Sequence, residues 1–478
     1  DVATPYRRLL RLPRIRKLEK RSASYSPDNV PYKPRYSVPV SIQGYEDKDY
    51  AMTIGYPGST ERYMSSWGIK QMVESEHKPR IAVRGAKQEI WKNAMNASDA
   101  IRIKYASKYA GSSNYWKNAM GMNEAIAKLN VIEGKEKFES EFAKWVASKP
   151  ELKERYGETL QTLKDAYTNT MQAQEILTYF GETFYNGIEI VRYANTVLAI
   201  KKQMEEGDME VEGLDLLIES VLKSYYKDYE SSLDRQVMPV LMELYRKSVP
   251  AEYLPDVYKT IDKKFKGDCN KYAEWFYKNT KFTDLTTAVN FINKGKDKDF
   301  KKDPAVELAK SLDTVMEDLY AKLEPYMMDM DKGSRQFMAG IMEMQPDKAF
   351  YSDANFTQRL SYGSVGGYEP SDAVTYDYYT TSKGVLEKEN ADNPEFAVQQ
   401  YILDDLSKGD FGRYAAKDGK MYVNFLSNND ITGGNSGSPV FNGKAHLIGL
   451  AFDGNWEALS GDILFEPDVQ RTISVDIR

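Results

Sequence analysis

The chain has 478 residues, a formal net charge of −6, one cysteine and two histidines. Its length exceeds one usual domain, so two or more are expected, and the acidic balance gives no footing for nucleic acid. The lone Cys269 excludes an internal disulfide or a thiolate metal cluster and reads as a buried or indifferent thiol; no apolar run is long enough to cross a membrane.

Residues 1–22 differ from all that follows: eight are Lys or Arg, interleaved with leucine, with neither a strand nor a helix period. From Ser24 to Gly68 the text is β-like, with Val38–Ile42 and Tyr50–Gly55 as strands and Gly55-Tyr56-Pro57-Gly58 as a turn. Glu61–Met64 reads as continuing towards a further strand. From about Ile69 to Met344 the pattern is helical. Phe138, Phe142 and Trp145 fall on one face, and Leu214, Leu217, Ile218, Val221, Leu222 and Tyr225 form a wider apolar stripe. Lysines and arginines lie between such stripes, as solvated faces do. From about Phe350 the β text returns, in Thr357–Gly363, Ala373–Tyr376 and Met421–Phe425. A helical block between two β segments is most simply an insertion into one β domain.

The strongest chemical signal lies near the end, in Gly433-Gly434-Asn435-Ser436-Gly437-Ser438-Pro439. Glycines at 434 and 437 allow a tight turn that reaches positive φ. Such a turn aims the amides of Gly434 and Ser436 at one point, where a carbonyl oxygen becomes an oxyanion. A surface turn of Gly, Ser and Asn has the same composition. What separates the two is the strand pattern behind it, His446–Phe452, followed by Asp453, Gly454 and Asn455.

These residues together resemble the bacterial dipeptidyl-peptidase 7 family, serine peptidases that release dipeptides from free N-termini. The similarity runs from about Tyr25 to Arg478. Its landmarks include Asp28–Pro34, Gly55–Gly58, Tyr105-Ala106-Ser107, Ser113–Asn118, Asp353-Ala354-Asn355, Asn435–Pro439, Asp453–Glu457 and Gln470–Ile473. The resemblance implies an α+β chain, part of a chymotrypsin-like double β-barrel with a large inserted all-helical domain. The expected divisions are an aberrant basic segment at 1–23, barrel at 24–69, helical insert at 70–349, and barrel carrying the nucleophile at 350–478.

By the same resemblance Ser436 is the nucleophile, and the amides of Gly434 and Ser436 form the oxyanion hole. Asn114 and Asp453 match residues that hold the substrate's free α-amine. Read locally, Asn114 serves equally as a helix cap before Tyr115-Trp116, and Asp453 as a turn residue. Gly454 stands where acid-preferring relatives carry an arginine, which implies an apolar residue at the second substrate position. The family implies no metal or other cofactor, a homodimer, export to the periplasm or cell surface, and peptides with free N-termini as partners. A trypsin-like endopeptidase and a non-catalytic peptide-binding relative are the alternatives.

A serine hydrolase of this order needs His and Asp upstream of Ser. His446 follows Ser436 on an expected strand, pointing to solvent, and His77 lies in a charged helical setting; neither matches the family's histidine. The expectation is a fragment, incomplete at both ends and inactive as written. Residues 1–23 are expected to be out of frame, since an Arg/Leu-rich string stands where the family has its catalytic aspartate, near position 8.

Overall fold

The computed structural model describes residues 33–205, 220–294 and 297–478. The basic stretch 1–23, the Asp28–Tyr32 part of the first landmark, and Leu214, Leu217 and Ile218 lie outside the described residues. The chain divides into two compact units. One takes the described residues up to Gly58, then Phe356–Gly454 and Pro467–Arg478; the other takes Ser59–Asn355 and Asn455–Glu466.

The first unit is built on strands β1 (Tyr50–Gly55), β2 (Arg359–Ser364), β5 (Tyr379–Thr381), β6 (Tyr422–Ser427), β7 (Pro439–Phe441), β8 (Leu447–Gly454) and β9 (Thr472–Asp476). They form one seven-stranded sheet in the order β2-β1-β7-β8-β9-β6-β5, and every ladder is antiparallel. The remaining pair, β3 (Tyr368–Ser371) and β4 (Val374–Tyr376), makes a separate ribbon. Alternation along β1 sends Ala51 and Thr53 inward. Ala51 meets Phe425, Val440, Ile448 and Ala451 in a small buried core.

Three expectations change here. The double β-barrel is not found among the described residues: the ladders do not close, and the ends of β2 and β6 are joined only outside the ladders, by the bridge Val365↔Ser427 and by the Gly366 N–H to Leu426 O and the Asn428 N–H to Ser364 O, both at 3.1 Å. Val38–Ile42 forms no strand; Val40 makes a single bridge to Leu447, and Val38, Val40 and Ile42 stay exposed. Glu61–Met64 leads into a helix instead of a strand. Ser65 caps that helix, Ser66–Gln71, by accepting from the Gly68 N–H, a local signal that outweighs the short β-like run.

The second unit is almost wholly helical, from Ser66 to the long helix Pro304–Met344. Its entry and exit are stitched together. Ser59 bridges to Asn355, Asp353 accepts from the Thr60 hydroxyl at 2.6 Å and the Arg62 N–H at 3.0 Å, and the Ala354 N–H returns to Thr60 at 2.9 Å. The 138/142/145 face is core as its spacing indicates, with Phe142 fully buried and its ring 5.0 Å from that of Phe337 in an edge-on contact. Leu222 is buried, and Cys269 is a buried free thiol. No helix among the described residues is long and apolar enough to cross a membrane.

Candidate active site

Ser436 sits exposed at the tip of the turn joining Asn429 to β7, and backbone bonds hold that turn on both flanks. Ahead of it, the Asn435 N–H donates to Thr432 O at 3.1 Å, and the buried Asn435 side chain accepts from the Thr432 N–H at 3.3 Å. Behind it, the Ser438 N–H returns to Asn435 O at 2.9 Å. Gly437 N–H to Ala451 O at 2.7 Å and Ala451 N–H to Ser438 O at 2.9 Å then fasten the turn to β8.

The sequence logic of the glycines is visible in the backbone. Gly434 has φ +107° and Gly437 has φ +81°, in the half of the map that side chains with a Cβ avoid. No acceptor among the described residues takes the Gly434 or Ser436 N–H. The Ser436 hydroxyl lies 3.5 Å from Phe452 O, too long to hold it. The tip therefore offers two unspent amide donors and a loosely held hydroxyl, all solvent-accessible.

β8 is irregular opposite the serine. The register shifts between Ala451 and Asp453, so Phe452 is the extra residue of a bulge. Bulges re-aim side chains, and they recur beside active sites. Beyond the bulge Asp453 is exposed, with one carboxylate oxygen accepting from the Gly454 N–H at 2.9 Å. Its other oxygen and its charge face water. Gly454 closes β8, half-buried, paired with Thr472.

Asn114 belongs to the helical unit, exposed in the middle of the thirty-residue helix Asp99–Lys128. The cap reading fails, because the cap is Ser98, whose side chain accepts from the Ile101 N–H at 3.4 Å. A solvent-facing asparagine in a helix interior is mildly unfavourable to the helix, so helix stability does not account for it. In the same unit Gly121 packs against Leu459 and Trp456, and Trp456 Nε1 donates to Glu124 at 3.1 Å. Within this unit Asn455–Glu466 is thus docked on the helix Asp99–Lys128.

Among the described residues neither histidine is hydrogen-bonded to Ser436. His77 is 3 % exposed, with Nδ1 2.6 Å from Asn123 Oδ1, and burial pushes its pKa down against that hydrogen bond. His446 does not lie on the strand as expected but in the hairpin turn before it, where its N–H donates to Asn442 Oδ1 at 3.0 Å; it is half-buried. Ser436 faces Phe452, six residues further along β8, which is roughly 20 Å of extended chain from His446.

Sequence reasoning assigns no role to Tyr56-Pro57-Gly58 or to Asn435, which form the bed of the serine turn. The signal is present, since Gly55–Gly58 is both a turn motif and a landmark of the resemblance.

Comparison with known proteins identifies the family. The family model for peptidase S46 matches residues 13–478. The chain is 50 % identical over 466 residues to a dipeptidyl-peptidase 7 of Porphyromonas gingivalis, covering 96 % of this chain and 64 % of that protein. It is 34 % identical to an Asp/Glu-specific dipeptidyl-peptidase of the same organism, over 95 % of this chain and 64 % of that protein. Among solved structures, Porphyromonas endodontalis DPP11 in complex with the dipeptide Arg-Glu superposes with a TM-score of 0.86 at 31 % identity, covering 95 % of this chain and 65 % of that one. The chain thus spans less than two thirds of these relatives, and it belongs to the peptidase S46 family.

Proposed function

We propose that this chain is the larger part of a serine dipeptidyl aminopeptidase, with Ser436 as nucleophile and the Gly434 and Ser436 amides as the oxyanion hole. One observation carries the reading: two unspent amide donors, of Gly434 and of the exposed serine itself, lie on a turn whose glycines adopt positive φ. Donors set in advance around a developing alkoxide are the largest electrostatic contribution to acyl transfer. The names of the relatives supply the rest, since dipeptidyl-peptidase 7 is 50 % identical to this chain.

Attack by Ser436 requires a base that takes its proton and returns it to the leaving amine. Neither histidine of this sequence is hydrogen-bonded to Ser436, and the chain covers 64 % of the dipeptidyl-peptidase 7 relative, so the base is proposed to lie outside these 478 residues, which alone are expected to be inactive. Asp453 and Asn114 are proposed to hold the substrate's α-ammonium, an anion and a side-chain carbonyl against a cation. That pair limits cleavage to the second peptide bond and distinguishes the enzyme from a trypsin-like endopeptidase. Gly454 is proposed to leave the second-residue pocket uncharged and open to apolar side chains. A homodimer, and export to the periplasm or cell surface, follow from the family resemblance.

Turnover of dipeptidyl amides by the gene's complete product tests the reading. Cleavage should release dipeptides, stop when the substrate N-terminus is acetylated, and vanish in Ser436→Ala. Cleavage of blocked peptides at the same rate would favour the endopeptidase.

A further inference from the structure

The turn Gly55-Tyr56-Pro57-Gly58 lies directly beneath the serine turn. The Gly58 N–H donates to Gly433 O at 2.6 Å. A Cβ at position 434 would stand 2.5 Å from Tyr56 O and 2.9 Å from the Gly58 nitrogen, and one at position 58 would stand 2.7 Å from Gly433 O. The two stretches therefore meet backbone to backbone, with no room for side chains between them. The lower turn is itself held: the Phe356 N–H donates to Pro57 O at 2.8 Å and Gly58 O at 3.0 Å. Phe356 adopts φ +61° there, a left-handed conformation uncommon for a bulky residue.

We propose that Gly58 is the positioning residue of the oxyanion hole, pinning the Gly433 carbonyl so that the Gly434 N–H points to the substrate side. The inference rests on the proposed function. A trans peptide is planar, and its C=O and N–H point in opposite directions. The 433–434 peptide is trans, so fixing its carbonyl towards Gly58 fixes its N–H away from Gly58. Without that bond this peptide joins two glycines, the residue least restrained in φ and ψ. Rotation of the plane would put a carbonyl oxygen where the oxyanion must sit, turning a donor into an acceptor. Gly58 suits the task for two reasons: its amide supplies the bond, and only a residue without Cβ fits at 2.7 Å from the oxygen it holds.

The test compares Gly58→Ala, Pro57→Ala and Ser436→Ala in the gene's complete product. The methyl group that Gly58→Ala introduces displaces the Gly433 oxygen, so kcat should fall about 10²–10³-fold, the effect of losing one oxyanion donor. KM and the affinity for the product dipeptide should stay within about threefold, because ground-state binding does not use that donor. Pro57→Ala keeps every hydrogen bond and only frees the chain, so kcat should fall about two- to fivefold. If cleavage survives Ser436→Ala, the proposed function itself is wrong. If Ser436→Ala is dead while a folded Gly58→Ala keeps wild-type kcat, or loses affinity with kcat intact, the positioning role alone is overturned. Should Gly58→Ala fail to fold, Pro57→Ala decides: a lower kcat at unchanged KM supports the role, and an unchanged kcat overturns it.

Discussion

Trp116 donates its indole N–H to the Ile81 carbonyl at 3.0 Å, and that bond fixes the way Asn114 faces. Two positions apart on a helix are about 200° apart around its axis, so anchoring residue 116 inward turns residue 114 outward. Arg84 adds a second fastening. Its guanidinium stacks over the Tyr115 ring at 5.1 Å and is held by Glu182 at 2.8 Å.

From this orientation follows the first prediction. Asn114→Ala and Asp453→Ala should leave the melting temperature unchanged, since both side chains are exposed. Each should lower kcat/KM for a free-amine dipeptidyl substrate by about 10–150-fold, the equivalent of a charge-assisted hydrogen bond of about 1.5–3 kcal/mol. Steady-state kinetics on both variants checks it. Efficiency equal to wild type would remove the residue from amine recognition.

Gly454 sets the second prediction. With a glycine there, substrates with Leu or Phe at the second position should be cleaved faster than those with Asp or Glu, because burying the apolar side chain contributes about 1.5–3 kcal/mol. A buried carboxylate would lose its hydration with no partner. Gly454→Arg should raise the rate on Asp and Glu substrates and depress it on Leu and Phe. A wild-type preference for acidic residues, as in the Asp/Glu-specific relative at 34 % identity, would show that other residues set the specificity.

Much of this is legible in the residues and some of it is not. The 138/142/145 spacing announces a buried helix face, because only a period near 3.6 brings those three rings together. β1, β6 and β8 read correctly from their apolar runs, and the serine turn from its glycines. A cap at Asn114 is the wrong local reading for the helix Asp99–Lys128, since Ser98-Asp99 carries the stronger cap signal. The bond from Gly58 to Gly433 has no local signature, since it joins stretches on either side of the helical insert. Long-range backbone pairing of that kind is invisible to periodicity.

The third prediction concerns the helical core. Phe142 is fully buried, touching Phe337, Trp145 and Tyr156 with ring centroids at 5.0, 5.7 and 6.3 Å. Phe142→Ala should destabilise the helical unit by about 3–5 kcal/mol, through lost transfer energy and the cavity left behind. Urea denaturation followed by circular dichroism measures it. A loss under about 1 kcal/mol would mean the site collapses around the missing ring.

His77 gives the fourth, a pH dependence. Burial holds its folded-state pKa below the ordinary value, opposed by the bond to Asn123 and aided by Arg80. The unfolded chain takes up a proton near about pH 6.5 while the native state stays neutral there. Stability is thus present above that pH and declines as pH falls through it. His77→Gln keeps a donor for Asn123 and cannot titrate. The stability of wild type relative to this variant should decrease between about pH 7.5 and 5.5; a constant difference would contradict the assignment.

The most direct test of the central claim is covalent. A dipeptidyl diaryl phosphonate with a free amine and an apolar second residue phosphonylates an activated serine, and the modified peptide can be located by mass spectrometry. Applied to the gene's complete product, it should place one adduct on Ser436, with labelling blocked by N-acetylation of the reagent and lost in Ser436→Ala. Inactivation with the adduct on another residue, or full activity retained by Ser436→Ala, would contradict the account.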